Sequence, residues 1–474
     1  MICNAHTLTE PVSRKSELAA PLYLALFSVG MFTLVPVWIW DWGFVVPGCY
    51  LLLWSTFDLR MALFLLAGLS VAQGKVGILA HTGANVIIDD IIFAELFLPL
   101  FMISYCLRSL KDEPRQLVWH RNVTETILLL FIFVLWVLVC INFIDWKVRA
   151  YTQLFHIVVG FIYLILFSTL SIEELHFFFK TMLFWGVVYF VMGLLCISGV
   201  ILEFNALELT KIFRLKLEFF SGGKRASLLA PPAVTSVTLG LFAFASYLLG
   251  YLHRRFRYWI YSAAFLTSVG IFYTRTRSEM VAFLFAGFTL TALFSWKRNF
   301  LLRGLTLCLV YVLIVWAVAA GFDLASALKR IQVSTDTAEQ ASLGIRLGLW
   351  KEGLIDLAKT RGVGVGTGGF FEYKDQWPHA HNVYFSVLFD LGVVGFVLWL
   401  LFYFNLWRLA LIALKRIPYL SKEWALLAFL TAFYVELSLT SLLQHEFRTF
   451  IWWMFPGIFL AAINSALKKY QPSF

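Results

Sequence analysis

The sequence predicts an all-α, polytopic helical membrane protein, and three observations carry that prediction. Of its 474 residues, 61% are hydrophobic and 14% charged, with a mean hydropathy of +0.81, whereas a soluble chain carries about a quarter charged residues. The apolar residues form long unbroken runs of about 18 or more, the length that crosses a bilayer. Between the runs lie short basic clusters: Arg254, Arg255 and Arg257; Lys297, Arg298 and Arg303; Lys415, Arg416 and Lys422; Lys468 and Lys469. That placement is the positive-inside pattern. It accounts for the net charge of +10 through membrane topology, so no nucleic-acid partner is expected. A soluble enzyme, a disulfide-rich secreted domain, a disordered chain and a coiled coil are all excluded. Cys3, Cys49, Cys106, Cys140, Cys196 and Cys308 are scattered along apolar runs without CxxC spacing, and read as small buried hydrophobes. The N-terminus lacks a cleavable leader pattern, so the first span is expected to be retained.

Candidate spans fall at roughly 21–40, 43–59, 61–80, 85–107, 122–144, 151–172, 176–202, 228–252, 258–274, 279–296, 304–322, 383–403, 425–443 and 447–467. That makes about 14 helices, with about 12 as the alternative, because the first three are the weakest: Pro47 and Gly48 interrupt the second and Lys75 lies in the third. Either even count puts both termini on one side, which the basic clusters make cytoplasmic. The reading divides the chain into N-terminal spans (1–202), central spans with arginine-bearing outer segments (203–322), a long outer loop (323–382) and C-terminal spans (383–474). Within the loop, Leu343, Leu347, Trp350, Leu354 and Leu357 recur at helical spacing beside Arg346, Lys351, Glu352 and Asp356. This predicts an amphipathic helix lying on the membrane or on the bundle. A loop of that length with aromatic and glycine content is expected to be ordered and functional.

The densest polar motif, Trp377-Pro378-His379-Ala380-His381-Asn382, stands where this loop re-enters the membrane. Histidine moves protons near neutrality; the plainer role for these residues is capping the helix that starts near Val383. A second set is the outer turn Tyr273-Thr274-Arg275-Thr276-Arg277-Ser278-Glu279. Arginine so near the bilayer pairs or faces a wet cavity. It either pairs with Glu279 or lipid phosphate, or clamps a diphosphate with its planar, permanently charged guanidinium. The glycine run 362–369 lacks the Lys-Ser/Thr of a nucleotide loop and reads as a structural turn bringing the loop back to the site. Asp89, Asp90, Glu95, Asp390 and Glu436 are intramembrane charges, for most of which structural pairing is expected. His445, in Gln444-His445-Glu446-Phe447-Arg448, is expected on the same side as His381. The cysteines lack zinc-site spacing, and there is no Asp-x-Asp metal motif and no soluble α/β domain for a nucleotide sugar, so neither a metal nor a cofactor is expected.

His381-Asn382, nine residues, then Gly392-Val393-Val394-Gly395 resembles the His-Asn-x9-Gly-x-x-Gly signature of the O-antigen ligase and O-antigen polymerase family of bacterial envelope glycosyltransferases. Gly344-Ile345-Arg346 to Trp350, followed by Gly362-Val363-Gly364-Val365-Gly366, resembles the family's periplasmic loop. The likeness is strongest over about residues 220–403. It implies a multi-pass protein of the bacterial inner membrane whose active site faces the periplasm. It implies an undecaprenyl-diphosphate-linked glycan as donor, and a glycan or the lipid A core as acceptor. The family's two key arginines map onto Arg225 and Arg277, with Arg275 as the alternative to the latter. His381 is then the base that takes the acceptor hydroxyl's proton, and His379 or Asn382 positions the imidazole or the acceptor. Displacement at the sugar C1 implies inversion without a divalent metal. Phe396-Val397 stands where ligases often carry Thr, which leans the reading toward a polymerase. The chain ends seven residues past its last span, which disfavours the protein-glycosylating branch. A transporter or flippase of lipid-linked oligosaccharides is the competing class. It would place its polar groups at the midplane of inverted repeats, and this sequence places them at the outer face.

Overall fold

The computed structural model describes residues 45–70, 75–78, 88–92, 95, 97–111, 119–143, 147–197, 207–209, 215–217, 232–274, 277–295, 337–369, 382–442 and 450–470. Two compact units divide the chain, Met1–Trp54 and Ser55–Phe474. Of the first, only the residues from Val45 are described; they open helix α1 (Val45–Phe57). The second is an all-α bundle, in chain order α2 (Leu59–Leu69), α3 (Leu98–Lys111), α4 (Arg121–Cys140), α5 (Lys147–Ser168), α6 (Ile172–Ile197), α7 (Pro232–Leu252), α8 (Arg257–Tyr273) and α9 (Arg277–Ser295). After these come α10 (Thr337–Lys359), α11 (Val383–Arg416), α12 (Lys422–Ser441) and α13 (Ile451–Lys469). Among the described residues six helices are long and apolar enough to cross a membrane.

The structure corrects the first spans. The helix expected over 61–80 ends at Leu69, and the one expected over 85–107 begins at Leu98. Between them Lys75–Ile78 (β1) pairs antiparallel with Ile88–Ile92 (β2). Lys75, Asp89 and Asp90 therefore lie in a short hairpin outside the helices. A second small ladder joins Leu207–Leu209 (β3) to Leu215–Leu217 (β4).

Residue character explains why these helices bundle within lipid. Helix α4 buries Val123, Ile127, Leu130, Val134 and Val137 while exposing Leu128, Phe131, Leu135 and Leu138. Both faces are apolar, so solvent exclusion cannot select the packed one; close backbone approach and side-chain fit do. Between α5 and α13 two glycines provide that approach. A Cβ on Gly160 would lie 2.4 Å from the Trp453 ring, and one on Gly457 would lie 2.7 Å from the Leu164 carbonyl oxygen. Gly160→Ala is expected to push these helices apart and destabilise the bundle by about 1–3 kcal/mol, the usual cost of overpacking; a falling thermal unfolding midpoint in detergent checks it.

Three of the basic clusters, Arg254–Arg257, Lys415–Lys422 and Lys468–Lys469, gather at one end, while Lys297, Arg298 and Arg303 lie outside the described residues. Asn464 Oδ1 on α13 accepts the His120 amide at 2.7 Å, Lys469 pairs with Glu423, and Tyr251 donates to the Leu420 carbonyl at 3.3 Å. The His120 imidazole, at the start of α4, accepts the Asn122 amide through Nδ1 at 3.3 Å. Burial, followed by nearby Arg416, holds its pKa below the ordinary value, which keeps that nitrogen free to accept. Intramembrane pairing, expected for most of the acids, is found at Glu95. Its carboxylate meets His156 Nδ1 at 2.5 Å, both side chains being buried.

Candidate functional site

The end opposite the basic clusters is built around a break in α11. Asn382 caps this helix. Its Oδ1 accepts the Phe385 amide at 3.0 Å, and its Nδ2 donates to the Leu442 carbonyl at 2.9 Å. The capping role therefore falls to Asn382, and the same side chain ties the start of α11 to the end of α12. Tyr384 Oη adds a longer contact to the Ser438 carbonyl at 3.5 Å.

The helix runs to Arg416, further than the span expected over 383–403, and breaks at Gly392, where φ is 69° and ψ −171°. That backbone region is open to glycine and to essentially no other residue. A break inside a span strands backbone groups that lipid cannot satisfy. Here the glycine-rich turn after α10 satisfies them. Val365 and Gly366 donate to the carbonyls of Phe389 and Asp390, both at 2.9 Å, and Val393 donates to the Gly362 carbonyl at 2.8 Å. In an unbroken helix the first two carbonyls would have accepted from residues 393 and 394. The turn thus substitutes for the missing helical partners.

Close approach needs glycine on both sides of this lock. A Cβ on Gly364 would lie 2.5 Å from the Gly392 nitrogen, and one on Gly392 would lie 2.2 Å from the Val363 carbonyl oxygen. Gly362, Gly364 and Gly366 all have positive φ, between 83° and 96°. Further ties reach α4: Thr367 Oγ1 donates to the Val137 carbonyl at 2.9 Å, and Trp136 Nε1 donates to the Leu391 carbonyl at 2.8 Å. Gly395 makes room for Trp136, whose ring a Cβ there would meet at 3.1 Å. Both glycines of the Gly-x-x-Gly motif thereby acquire structural reasons, and the run 362–369 is the structural turn the sequence predicts.

Helix α10 docks on the first half of α11. Leu349 is buried, the Trp350 and Phe385 ring centroids lie 4.9 Å apart, and Phe385 stacks on Phe389 at 5.4 Å. Gly353 lies under the Phe389 ring. The helix therefore lies on the bundle, but its packed face centres on Leu349 and Gly353, whereas Leu347 and Leu354 of the expected stripe are exposed. The stripe counted leucines and passed over Gly353, whose lack of a side chain is what the ring needs. Arg346 lies one turn before Trp350, half-buried.

Arg277 begins α9, with its side chain outside the description. Two residues on, Glu279 is fully buried and its Oε2 accepts from Ser278 Oγ at 2.6 Å. Arg225, Arg275, His379, His381 and His445 lie outside the described residues. Trp136 and Thr367 join the site without having been legible in the sequence: Trp136 is one more aromatic residue in an apolar run, and Thr367 lies inside the glycine turn.

One chain of a solved peptidoglycan synthase complex, described as coordinating polymerization and crosslinking, aligns at 17% identity and a TM-score of 0.41, covering 75% of this chain and 100% of its own; a likeness that loose carries no argument. No curated protein matches the chain. A family model described as O-antigen ligase matches residues 262–400. The match runs from within α8 through the arginine turn, α10 and the glycine turn to the broken first half of α11. Residues 262–400, which hold the arginine turn, His381-Asn382 and the whole glycine lock, are thus the part of the chain that is similar to the O-antigen ligase family.

Proposed function

We propose that this membrane glycan-transferring enzyme moves a glycan from an undecaprenyl-diphosphate carrier onto an acceptor sugar hydroxyl at the periplasmic face. One observation supports the reading above the others. The family segment joins the arginine turn at the start of α9 to the His-Asn corner at the start of α11, and the glycine lock fixes the backbone that carries that corner. In this mechanism Arg225 and Arg277, with Arg275 alternative to the latter, hold the diphosphate. Their charge offsets the negative charge that grows as the bond from C1 to the diphosphate oxygen breaks. The acceptor oxygen bonds to C1 from the opposite face, inverting it, while His381 takes the hydroxyl proton. His379, Arg346 and His445 are supporting residues. Asn382, already spent on two structural hydrogen bonds, acts by fixing the peptide that follows His381. The products are the lengthened or transferred glycan and undecaprenyl diphosphate.

Replacement of Thr by Phe396-Val397 leans the choice toward a polymerase, joining lipid-linked repeats, over a ligase acting on the lipid A core. Arg277→Lys tests the clamp. It keeps the charge but loses the bidentate geometry, so transfer is expected to fall about tenfold or more, equivalent to about 1.4 kcal/mol or more of lost binding to the departing diphosphate. The assay contains EDTA throughout and no nucleotide. Full turnover by the variant would remove Arg277 from the clamp, and loss of wild-type transfer in EDTA would contradict the metal-free displacement.

A further inference from the structure

A cavity of both charge signs opens at the end of the bundle opposite the glycine lock. Helix α5 meets Trp453 at Gly160 and Gly457 at Leu164, so it runs in the same direction as α13 and ends near Lys468 and Lys469. The turn into α6 follows there, and Tyr105 of α3 donates to Thr169 in that turn at 2.6 Å. At this corner the starts of α2 and α6 and the last turns of α3 enclose a cavity of about 240 Å³, whose lining includes Asp58, Arg60, Arg108, Glu173, Glu174 and Phe177. Two of the carboxylates are held by helix starts: Asp58 Oδ1 accepts the Arg60 amide at 2.8 Å, and Glu174 Oε2 accepts the Ser171 amide at 2.6 Å. Glu174 also pairs with Arg108. The Arg60 guanidinium lies over the Phe177 ring, 5.8 Å from its centroid, and both Arg60 and Glu173 are exposed.

Depth and charge together name the ligand class. Met102 and Ile103 of α3 are exposed apolar residues, the kind of surface a bilayer covers. Arg108 lies five residues beyond Ile103, about 8 Å further along the axis, and the polar layer outside the hydrocarbon is about 5–8 Å deep on each side. The cavity therefore lies at headgroup depth. Its volume is below the roughly 300–1,000 Å³ of drug-sized pockets, which suits a headgroup whose chains stay in the bilayer. A lone anion would meet the arginines and leave the carboxylates unmatched. A zwitterion with a phosphate and a primary ammonium meets both: a guanidinium has five donors, so one with a protein partner keeps N–H groups for a phosphate, and an ammonium has three donors for carboxylates. We propose that this cavity binds the headgroup of phosphatidylethanolamine, its phosphate on Arg60 and Arg108 and its ammonium on Glu173 and Asp58. The lipid anchors the corner of α2, α3 and α6 in the leaflet that the basic clusters mark as cytoplasmic. The site is separate from the transfer reaction proposed above and does not depend on it.

The test uses the full chain in detergent, adding dioleoyl phosphatidylethanolamine, phosphatidylcholine or phosphatidylglycerol at equal mole fraction and reading the thermal unfolding midpoint. A ligand that binds only the folded state raises the midpoint with concentration. Phosphatidylethanolamine is expected to raise the wild-type midpoint at a several-fold lower mole fraction than the other two lipids. Phosphatidylcholine has both charges but no N–H on its ammonium, and phosphatidylglycerol has no ammonium. R60Q and E173Q change exposed side chains and should leave the fold in place; each is expected to abolish the preference. Equal responses to phosphatidylethanolamine and either other lipid would overturn the headgroup assignment. A wild-type preference retained in both variants would overturn the location, since a general effect of the lipid on the micelle would survive these changes. In a last arm, soluble glycerophosphoethanolamine replaces added lipid. Stabilisation there, with none by phosphatidylethanolamine, would overturn the lipid as the source of the headgroup.

Discussion

Gly392→Ala is expected to abolish transfer and to lower the unfolding midpoint by several degrees. Its backbone, at φ 69° and ψ −171°, is one that a side chain strains by about 1–3 kcal/mol. The added methyl would also lie 2.2 Å from the Val363 carbonyl oxygen and 2.4 Å from that of Gly362. Neither atom belongs to a flexible side chain, so the turn itself must withdraw. Withdrawal breaks the three hydrogen bonds across the lock, each worth about 1 kcal/mol net and more where lipid offers no replacement. Several kcal/mol is a large share of a typical stability of about 5–15 kcal/mol. Val394→Ala, two residues away on an exposed face, is the matched control and should change stability by no more than about 0.5 kcal/mol. A Gly392→Ala protein with wild-type stability and turnover would show that the lock does not hold the site.

His381→Ala is expected to remove transfer while leaving the lipid-linked donor bound. General-base catalysis contributes about 10²–10⁴-fold, and the diphosphate contacts in this account belong to arginines. Loss should therefore appear in turnover and not in donor affinity. Binding of undecaprenyl diphosphate to the variant, measured alongside transfer, separates the two. Turnover at the wild-type rate would dismiss His381 as the base. Equal loss of binding and turnover would make it a structural residue.

Much of this architecture is legible in the sequence because lipid imposes simple rules. Long apolar runs become spans, and basic residues collect at one end, as Arg254–Arg257 and Lys468–Lys469 do. The hairpin Lys75–Ile78 with Ile88–Ile92 escaped that reading, since Val76, Ile78, Ile88, Ile91 and Ile92 are as apolar as a span and hydropathy alone does not separate strand from helix. The His-Asn-x9-Gly-x-x-Gly spacing marks the site, but not how the site is held. That depends on Gly364 and Gly366 meeting Phe389–Gly392 some 25 residues later, a contact between two segments that share no local pattern. The amphipathic stripe on α10 misleads for a related reason. Hydrophobic periodicity finds side chains that want burial, whereas Gly353 packs by having none. Buried polar pairs such as Glu95 with His156 are equally silent in sequence, because each partner reads as an isolated charge in an apolar run.

The central claim is nucleotide-free glycan transfer from a polyprenyl diphosphate, and one measurement tests it most directly. Purified protein in nanodiscs receives an undecaprenyl-diphosphate-linked repeat unit of the matching native glycan, alone in one tube and with lipid A core in another. Products are resolved by gel and mass spectrometry. The account predicts transfer with release of undecaprenyl diphosphate, seen as a ladder from the donor alone. A single product that forms only with lipid A core would keep the chemistry and shift the assignment to ligase. Intact donor in both tubes, with the protein folded, would contradict the account.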